Sequence, residues 1–307
     1  MSGYREVLLH RTDASGIEAR LVGISDRIQS LQFSNDGQTL MAAGGTPARF
    51  GEIQFWDVAT RTLKRSFTSC QDTIFGASLS PDASKVAFGC PDHMVRVIEA
   101  AGGIELLKMG HHEGWVLGTV FGIDGKRILS VGRDRAAKLV DASTGSFIEN
   151  VNLLRGKLST VARHPSRDAV VIGGEDRVGY YYKMDRGRKM LIADDSTLIR
   201  QFEVQDGEIF ALAFSPDGEK IAMAGAANEI PIYDLSTGDR FVTCKGARSG
   251  IYAIAFHPNG QELAAGGFAG LVRIYATQSG KLIREFSPVP LEKDQLTSNQ
   301  ESEKRFR

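Results

Sequence analysis

Cysteine is scarce in this chain: 307 residues contain three, Cys70, Cys90 and Cys244. An odd number, far apart and without a CxxC pair, makes neither a disulfide framework nor a zinc ribbon. They read instead as buried or half-buried thiols. A Cys70–Cys244 bridge would need two distant segments to meet. Net charge is lacking as well, with 37 Lys plus Arg against 37 Asp plus Glu. A nucleic-acid partner normally draws a basic excess or stripe, so none is expected. No apolar run approaches the roughly 18 residues that span a bilayer, so no membrane insertion is expected. The start, MSGYREVLLHRTD, is charged by Arg5 and has no long apolar core, so it does not read as a secretory signal. The compartment then depends on the extent of the chain: cytoplasmic if it is complete, periplasmic if it belongs to a longer exported protein.

Catalytic signatures are missing too. There is no GxSxG, HExxH, GxGxxG or GxxxxGK[ST]. Gly122–Lys126 superficially suggests a phosphate loop, but Gly125 falls in a hairpin turn with no helix after it to hold an anion. His111-His112-Glu113 is the one adjacent cluster of possible metal ligands, and no third and fourth zinc ligand lies near it in sequence. Neither a metal nor a cofactor is expected. His164 and His257 fall in turns and are expected to be exposed, while His10 and His93 have no evident partner. Asp92, Asp134 and Asp176 recur just before three apolar segments. They are expected to cap their own loops, with a ring of carboxylates at a channel mouth as the alternative.

What the chain does have is glycine, 34 of them, and a repeated unit. In the stretch Ile209 to Leu235, Ile209, Leu212 and Phe214 begin a strand and Ser215-Pro216-Asp217-Gly218 makes a turn. Lys220–Ala224 and Ile230–Leu235 follow as strands, and a fourth comes at Arg240–Thr243. The strand-and-turn signature recurs with anchors Phe33, Leu79, Phe121, Arg163, Phe214 and Phe256, at spacings of 46, 42, 42, 51 and 42. The long intervals hold an insertion at Thr46–Gly51 and a polar stretch at Asp185–Ser196. Each second strand ends in small residues, such as Ala-Ala-Gly-Gly at 42–45 and 264–267. These are expected where sheets converge on a narrow axis. Six such meanders imply an all-β protein, a β-propeller of four-stranded antiparallel blades, with units at 26–69, 70–110, 111–153, 154–205, 206–246 and 247–286.

The SPDG-type turns, Trp56-Asp57 closing a third strand, and His111-His112 opening the third unit together resemble the Trp-Asp (WD) repeat family over residues 26–286. The resemblance implies a His–Ser/Thr–Asp–Trp hydrogen-bond network within a blade. His111 or His112, Ser130 and Asp134 supply three members, with Val140 in the Trp position; elsewhere the network is expected to be absent. Residues 1–25 read as the third and fourth strands of a further half blade. A seven-bladed plan would then need two more strands, and residues 287–307, polar and expected to be disordered, are poor strand material. Either the missing strands belong to a longer protein, or a six-bladed ring closes with the N-terminal pair on its edge. YREVLLHR and AAGGTPARFGEIQFWDV further resemble WD domains attached to c-type cytochrome modules in planctomycete-type bacteria. This chain has no CxxCH for covalent haem.

In the WD architecture the start of each first strand projects onto one rim. Six positions before each anchor stand Arg27, Thr73, Trp115, Lys157, Glu208 and Gly250; four before stand Gln29, Phe75, Leu117, Ser159, Phe210 and Tyr252. The aliphatic set led by Ile28, Ile74, Val116, Leu158, Ile209 and Ile251 interleaves with them as core. Aromatic and Arg side chains carry interface energy. The expected partner face therefore comprises Arg27, Gln29, Phe75, Trp115, Leu117, Arg133, Arg135, Lys157, Arg177, Phe210 and Tyr252, with Arg49 and Phe50 of the insertion as a second candidate. The bland alternative makes these aromatics plugs between sheets. The expected function is a non-enzymatic scaffold that binds a protein or peptide. The runner-up is a propeller enzyme or a small-ligand or metal sensor using the channel mouth.

Overall fold

Residues 4–12, 16–184 and 195–289 are described by a computed structural model of the chain. Short apolar segments alternate with Ser-x-Asp-Gly and Asp-x-Ser-Thr-Gly turns, a pattern that suits strands and is too short for helices. Among the described residues every regular element is a strand. Strands β1 (Glu6–His10) and β2 (Ile17–Val22) form a two-stranded antiparallel sheet. Blade 1 follows, made of β3 (Arg27–Phe33), β4 (Thr39–Thr46), β5 (Phe50–Asp57) and β6 (Leu63–Cys70). Blade 2 is β7 (Gly76–Leu79), β8 (Lys85–Gly89), β9 (Val95–Glu99) and β10 (Glu105–Met109). Blade 3 is β11 (Val116–Phe121), β12 (Arg127–Gly132), β13 (Ala137–Asp141) and β14 (Phe147–Asn150). Blade 4 is β15 (Leu158–Arg163), β16 (Ala169–Gly174), β17 (Tyr180–Lys183) and β18 (Leu198–Gln201). Blade 5 is β19 (Ile209–Phe214), β20 (Lys220–Gly225), β21 (Ile230–Asp234) and β22 (Arg240–Cys244). Blade 6 is β23 (Ile251–Phe256), β24 (Glu262–Gly267), β25 (Val272–Ala276) and β26 (Leu282–Phe286).

Each blade is a meander whose strands pair in chain order, and the six stand in a ring as a six-bladed propeller. Inner strands of consecutive blades lie side by side, from β3 through β7, β11, β15 and β19 to β23. The core is accordingly divided into seams. Met41, Ile53 and Phe55 of blade 1 pack on Val86, Phe88 and Ile98 of blade 2. Leu129 and Leu139 of blade 3 meet Val170, Ile172 and Tyr182 of blade 4. Ala222 and Ile232 of blade 5 meet Leu263 and Tyr275 of blade 6. The six aliphatics predicted to lead the core are buried, from Ile74 and Val116 at 0% exposure to Ile28 at 8%.

The β1–β2 sheet sits on blade 1, where Val7 and Leu21 share a core with Leu40, Ala42 and Trp56. It also reaches blade 6: the Arg284 guanidinium donates to the Thr12 carbonyl, and His10 lies against Phe286 with ring centroids 5.5 Å apart. The polar stretch at 185–194 and the tail from 290 onward lie outside the described residues.

Candidate interaction site

Pairing of the inner strand with the second strand slips at the same place in five blades. The register shifts between Ile28 and Ser30, Val116 and Gly118, Leu158 and Thr160, Ile209 and Ala211, and Ile251 and Ala253. The residue left over at each shift is Gln29, Leu117, Ser159, Phe210 or Tyr252. In blade 2 the strand begins only at Gly76, with the Phe75 amide donating to the Gly89 carbonyl at 3.1 Å. A β-bulge opposes two residues to one and re-aims a side chain. The six residues four before the anchors therefore do not alternate into the sheets. They converge on one cavity of about 430 Å³, whose walls also include Ser30, Thr119 and Thr160.

The bulge also explains the glycines. Gly44, Gly132, Gly174, Gly225 and Gly267 oppose Ile28, Val116, Leu158, Ile209 and Ile251. A Cβ on them would lie 1.9, 2.5, 2.0, 1.8 and 2.2 Å from the carbonyl oxygens of Arg27, Trp115, Lys157, Glu208 and Gly250, where real contacts stay beyond 3.0 Å. Channel crowding, the cause expected from sequence, is thus replaced by close backbone approach inside each blade.

Two aromatic stacks stand at the mouth. Phe75 and Trp115 are 5.4 Å apart at 20°, joining blades 2 and 3, and the Arg133 guanidinium covers the Trp115 ring at 3.8 Å. Phe210 and Tyr252 are 5.4 Å apart at 27°, joining blades 5 and 6. Trp115 keeps 37% and Tyr252 54% of its surface exposed, so these two are not plugs sealed between sheets.

Other predicted residues stand apart from the cavity wall. Arg27 is exposed, and Lys157 pairs with Glu175 at 3.3 Å. Arg135 and Arg177 hold φ of 68° and 67° in tight turns, a backbone duty with their side chains exposed. Arg49 and Phe50 sit where the β4–β5 hairpin is prolonged, with Thr46 paired to Phe50.

The predicted network forms in blade 3. His112 Nδ1 lies 2.9 Å from both Asp134 oxygens, and Nε2 lies 2.8 Å from Ser130 Oγ. Burial pushes the Asp134 carboxyl up. The His112 contact, the Glu113 amide and Lys138 outweigh it and hold the group below its ordinary value. His111 is not a member: its Nε2 lies 3.0 Å from the Gly145 carbonyl and its ring leans on Phe147. Trp56 and Asp57 are not linked as the family pattern implies. Trp56 Nε1 donates to Gln54 Oε1 at 2.9 Å, Gln54 donates to Glu52 at 2.8 Å, and Ser25 also bonds Glu52. Asp57 instead caps its turn through the Thr60 amide, the first cause holding its carboxyl at about 2.

Polar networks are therefore not confined to blade 3. Asp92 grips Arg96 and Asp176 the Tyr180 hydroxyl, each four residues along, as Lys138 approaches Asp134. Each carboxylate also accepts from its own loop, at Met94, Val178 and Ala136. This is the loop-capping arrangement expected of Asp92, Asp134 and Asp176. Sequence reasoning missed Glu52 and Gln54, because polar residues inside a strand normally signal an exposed face, and it missed Ser25, which lies in the loop between β2 and β3. It also misplaced His164, which is 1% exposed, with Nε2 lying 3.1 Å from the Gly218 carbonyl of the next blade.

A ring of four-stranded meanders with SPDG turns and a buried His–Ser–Asp set defines a WD-repeat β-propeller. More narrowly, residues 23–301 match the family described as nucleolar protein 10-like, N-terminal domain, and the chain belongs to that family. An uncharacterised WD repeat-containing protein of Schizosaccharomyces pombe is 23% identical over 213 residues, 54% of this chain and 34% of that protein. Transcription factor unc-37 of Caenorhabditis elegans is 30% identical over 118 residues, 38% of this chain and 18% of its own length. The chain thus spans only about a third or less of these relatives.

Proposed function

We propose that the propeller is a non-catalytic platform that holds an extended protein segment across the channel mouth. The observation carrying this reading is the placement of large side chains at bulges. Phe210 and Tyr252 sit at such bulges, outside the strand pairing, and their stack and that of Phe75 on Trp115 border one cavity. In ring order the stacks of blades 2–3 and 5–6 are separated by Gln29 on one side and Ser159 on the other. A ligand with two apolar side chains flanking a polar backbone fits that alternation. The rigid ring spares most of the ordering cost of association. The WD-repeat families that the chain matches are typically scaffolds, and a WD protein and a transcription factor among its relatives fit a protein partner. The test is partner recovery from lysate with the wild-type ring and with Trp115→Ala/Tyr252→Ala. Loss of a specific band with a melting transition shifted only a few degrees supports the reading. Undiminished capture, or collapse of the fold, overturns it.

The β1–β2 sheet we read as the outer half of a further blade, set between blades 6 and 1. Leu31 and Phe33 of blade 1 are 37% and 52% exposed, whereas their counterparts Leu212 and Phe214 pack on the preceding blade. On the other wall, a Cβ on Gly266 would meet nothing within 4 Å, while its counterparts Gly89 and Gly173 press on Val116 and Ile209 of the next blade. Exposure on both walls supports a sector unfilled near the axis.

A further inference from the structure

The seam between blades 1 and 2 holds two sulfurs. Cys70 ends the outermost strand of blade 1, half-buried; Cys90 follows the second strand of blade 2, at 0% exposure. Their Sγ atoms are 3.0 Å apart. That is closer than the about 3.5–4.0 Å at which unbonded carbons rest, and within about 1 Å of a disulfide bond length. Both are thiols in this structure, with Cys70 Sγ 2.9 Å from the Asp72 carbonyl oxygen. Cys244, the third cysteine, is buried in the seam between blades 5 and 6.

We propose that Cys70 and Cys90 are a reversible dithiol–disulfide site, oxidised by a low-molecular-weight disulfide of the glutathione type. The two sulfurs have distinct parts to play. Cys70 is the one that solvent reaches. The Cys90 thiol, hydrogen-bonded to it, holds its ionisation below the ordinary thiol value, while the same contact and burial push Cys90 up. The thiolate is the attacking species, so reaction begins at Cys70. Its sulfur forms a bond to one sulfur of the reagent, and the other leaves as thiolate. Cys90 then gives up its proton and attacks the Cys70 sulfur, expelling the second reagent thiolate. Two cysteine thiols are oxidised to one disulfide and the reagent is reduced to two thiols, which keep the two protons.

The bond would join neighbouring blades directly. It would also close a loop over residues 70–90 that contains the linker ending in Phe75, one of the stacked rings. Such a loop removes freedom from the unfolded chain and adds ~5 °C to the melting temperature.

The full chain is incubated with oxidised glutathione, alkylated, and mapped by non-reducing peptide mass spectrometry. A peptide linking Cys70 to Cys90 is expected, with the mass of two hydrogens lost, Cys244 still a thiol, and reversal by dithiothreitol. Cys90→Ala should stop the reaction at glutathionylated Cys70, and Cys70→Ser should leave Cys90 unmodified in the folded protein. Three results would overturn the proposal: a stable glutathione adduct on wild-type Cys70, no reaction at either cysteine, or equal labelling of all three. Should Cys90→Ala fail to fold, the wild-type map and the Cys70→Ser variant decide the matter alone.

Discussion

Two glycines at adjoining places in the fold should respond oppositely to the same added methyl. In Gly225→Ala the new Cβ would stand 1.8 Å from the Glu208 carbonyl oxygen, a backbone atom fixed by the bulge at Ile209–Ala211. No rotamer relieves that contact, so the inner strand of blade 5 must move. Overpacking of this kind costs about 1–3 kcal/mol, and the rigid partner puts this case at the upper end. In Gly266→Ala the Cβ has nothing within 4 Å, and φ lies outside the left-handed region. The gain there is the reduced freedom of the unfolded chain, about 0.4–1 kcal/mol. Urea denaturation of both variants beside wild type measures the difference, expected at about 3.5 kcal/mol between them. Equal destabilisation by the two would mean that Gly266 abuts a packed strand, refuting the unfilled sector. A neutral Gly225→Ala would refute the bulge as the origin of the glycine pattern.

Asp134→Asn should destabilise the ring by about 3 kcal/mol at neutral pH, because His112 and Lys138 then face no carboxylate in a buried site. Since the folded Asp134 carboxyl lies below its unfolded value, the stabilisation is complete above roughly pH 4 and is lost as pH falls through the lowered value. Thermal melts from pH 7 downward should show the two proteins converging in acid. Trp115→Ala removes one ring stack and one cation–π contact, about 1–2.5 kcal/mol together. Tyr252→Ala removes one stack, about 0.5–1.5 kcal/mol. Calorimetry should find both variants folded, and a loss well beyond these values would make the rings plugs. His164→Ala should loosen the seam between blades 4 and 5, because Nε2 faces the Gly218 carbonyl and the ring lies 5.1 Å from Phe214. Hydrogen exchange of the 215–220 turn should accelerate, and unchanged protection there would contradict the contact.

The blades were legible because their determinants are local. A turn such as Ser215–Gly218 uses the Ser hydroxyl, the Asp carboxylate and a glycine at φ of 74° within four residues. A period of about 42 then repeats the element six times. The core aliphatics followed from alternation and are buried as expected. Alternation also set Gln29, Leu117 and Phe210 off the core, but it does not show the bulge, a backbone event between two strands, that brings them to one cavity. Long-range polar partners were illegible for a similar reason. Glu52 satisfies itself on Ser25, Gln54 and Ser66, the first of which lies before the blade begins. His164 reads as a turn residue by position, yet its acceptor belongs to the next blade. The sulfur pair is twenty residues apart in sequence and adjacent only because one blade's outermost strand leads into the next blade's seam.

The bulge also separates two demands that a strand usually makes on the same residue. On either side of it, the positions of Ile28 and Ser30 or of Ile209 and Ala211 are bound by packing and pairing. The residue between them is bound by neither, so its identity is open to whatever the mouth must recognise. In the six copies the flanking first residue is always Ile, Val or Leu, while the next position, bulged in every blade but the second, runs through Gln, Phe, Leu, Ser, Phe and Tyr. A scaffold selected only for stability has no reason to put Phe and Tyr where they keep solvent contact and support no sheet. Exchanging Gln29 for Phe should therefore leave the melting transition of the ring near that of wild type. It should also change which ligands the mouth accepts, a divergence that a purely structural role for these positions does not produce.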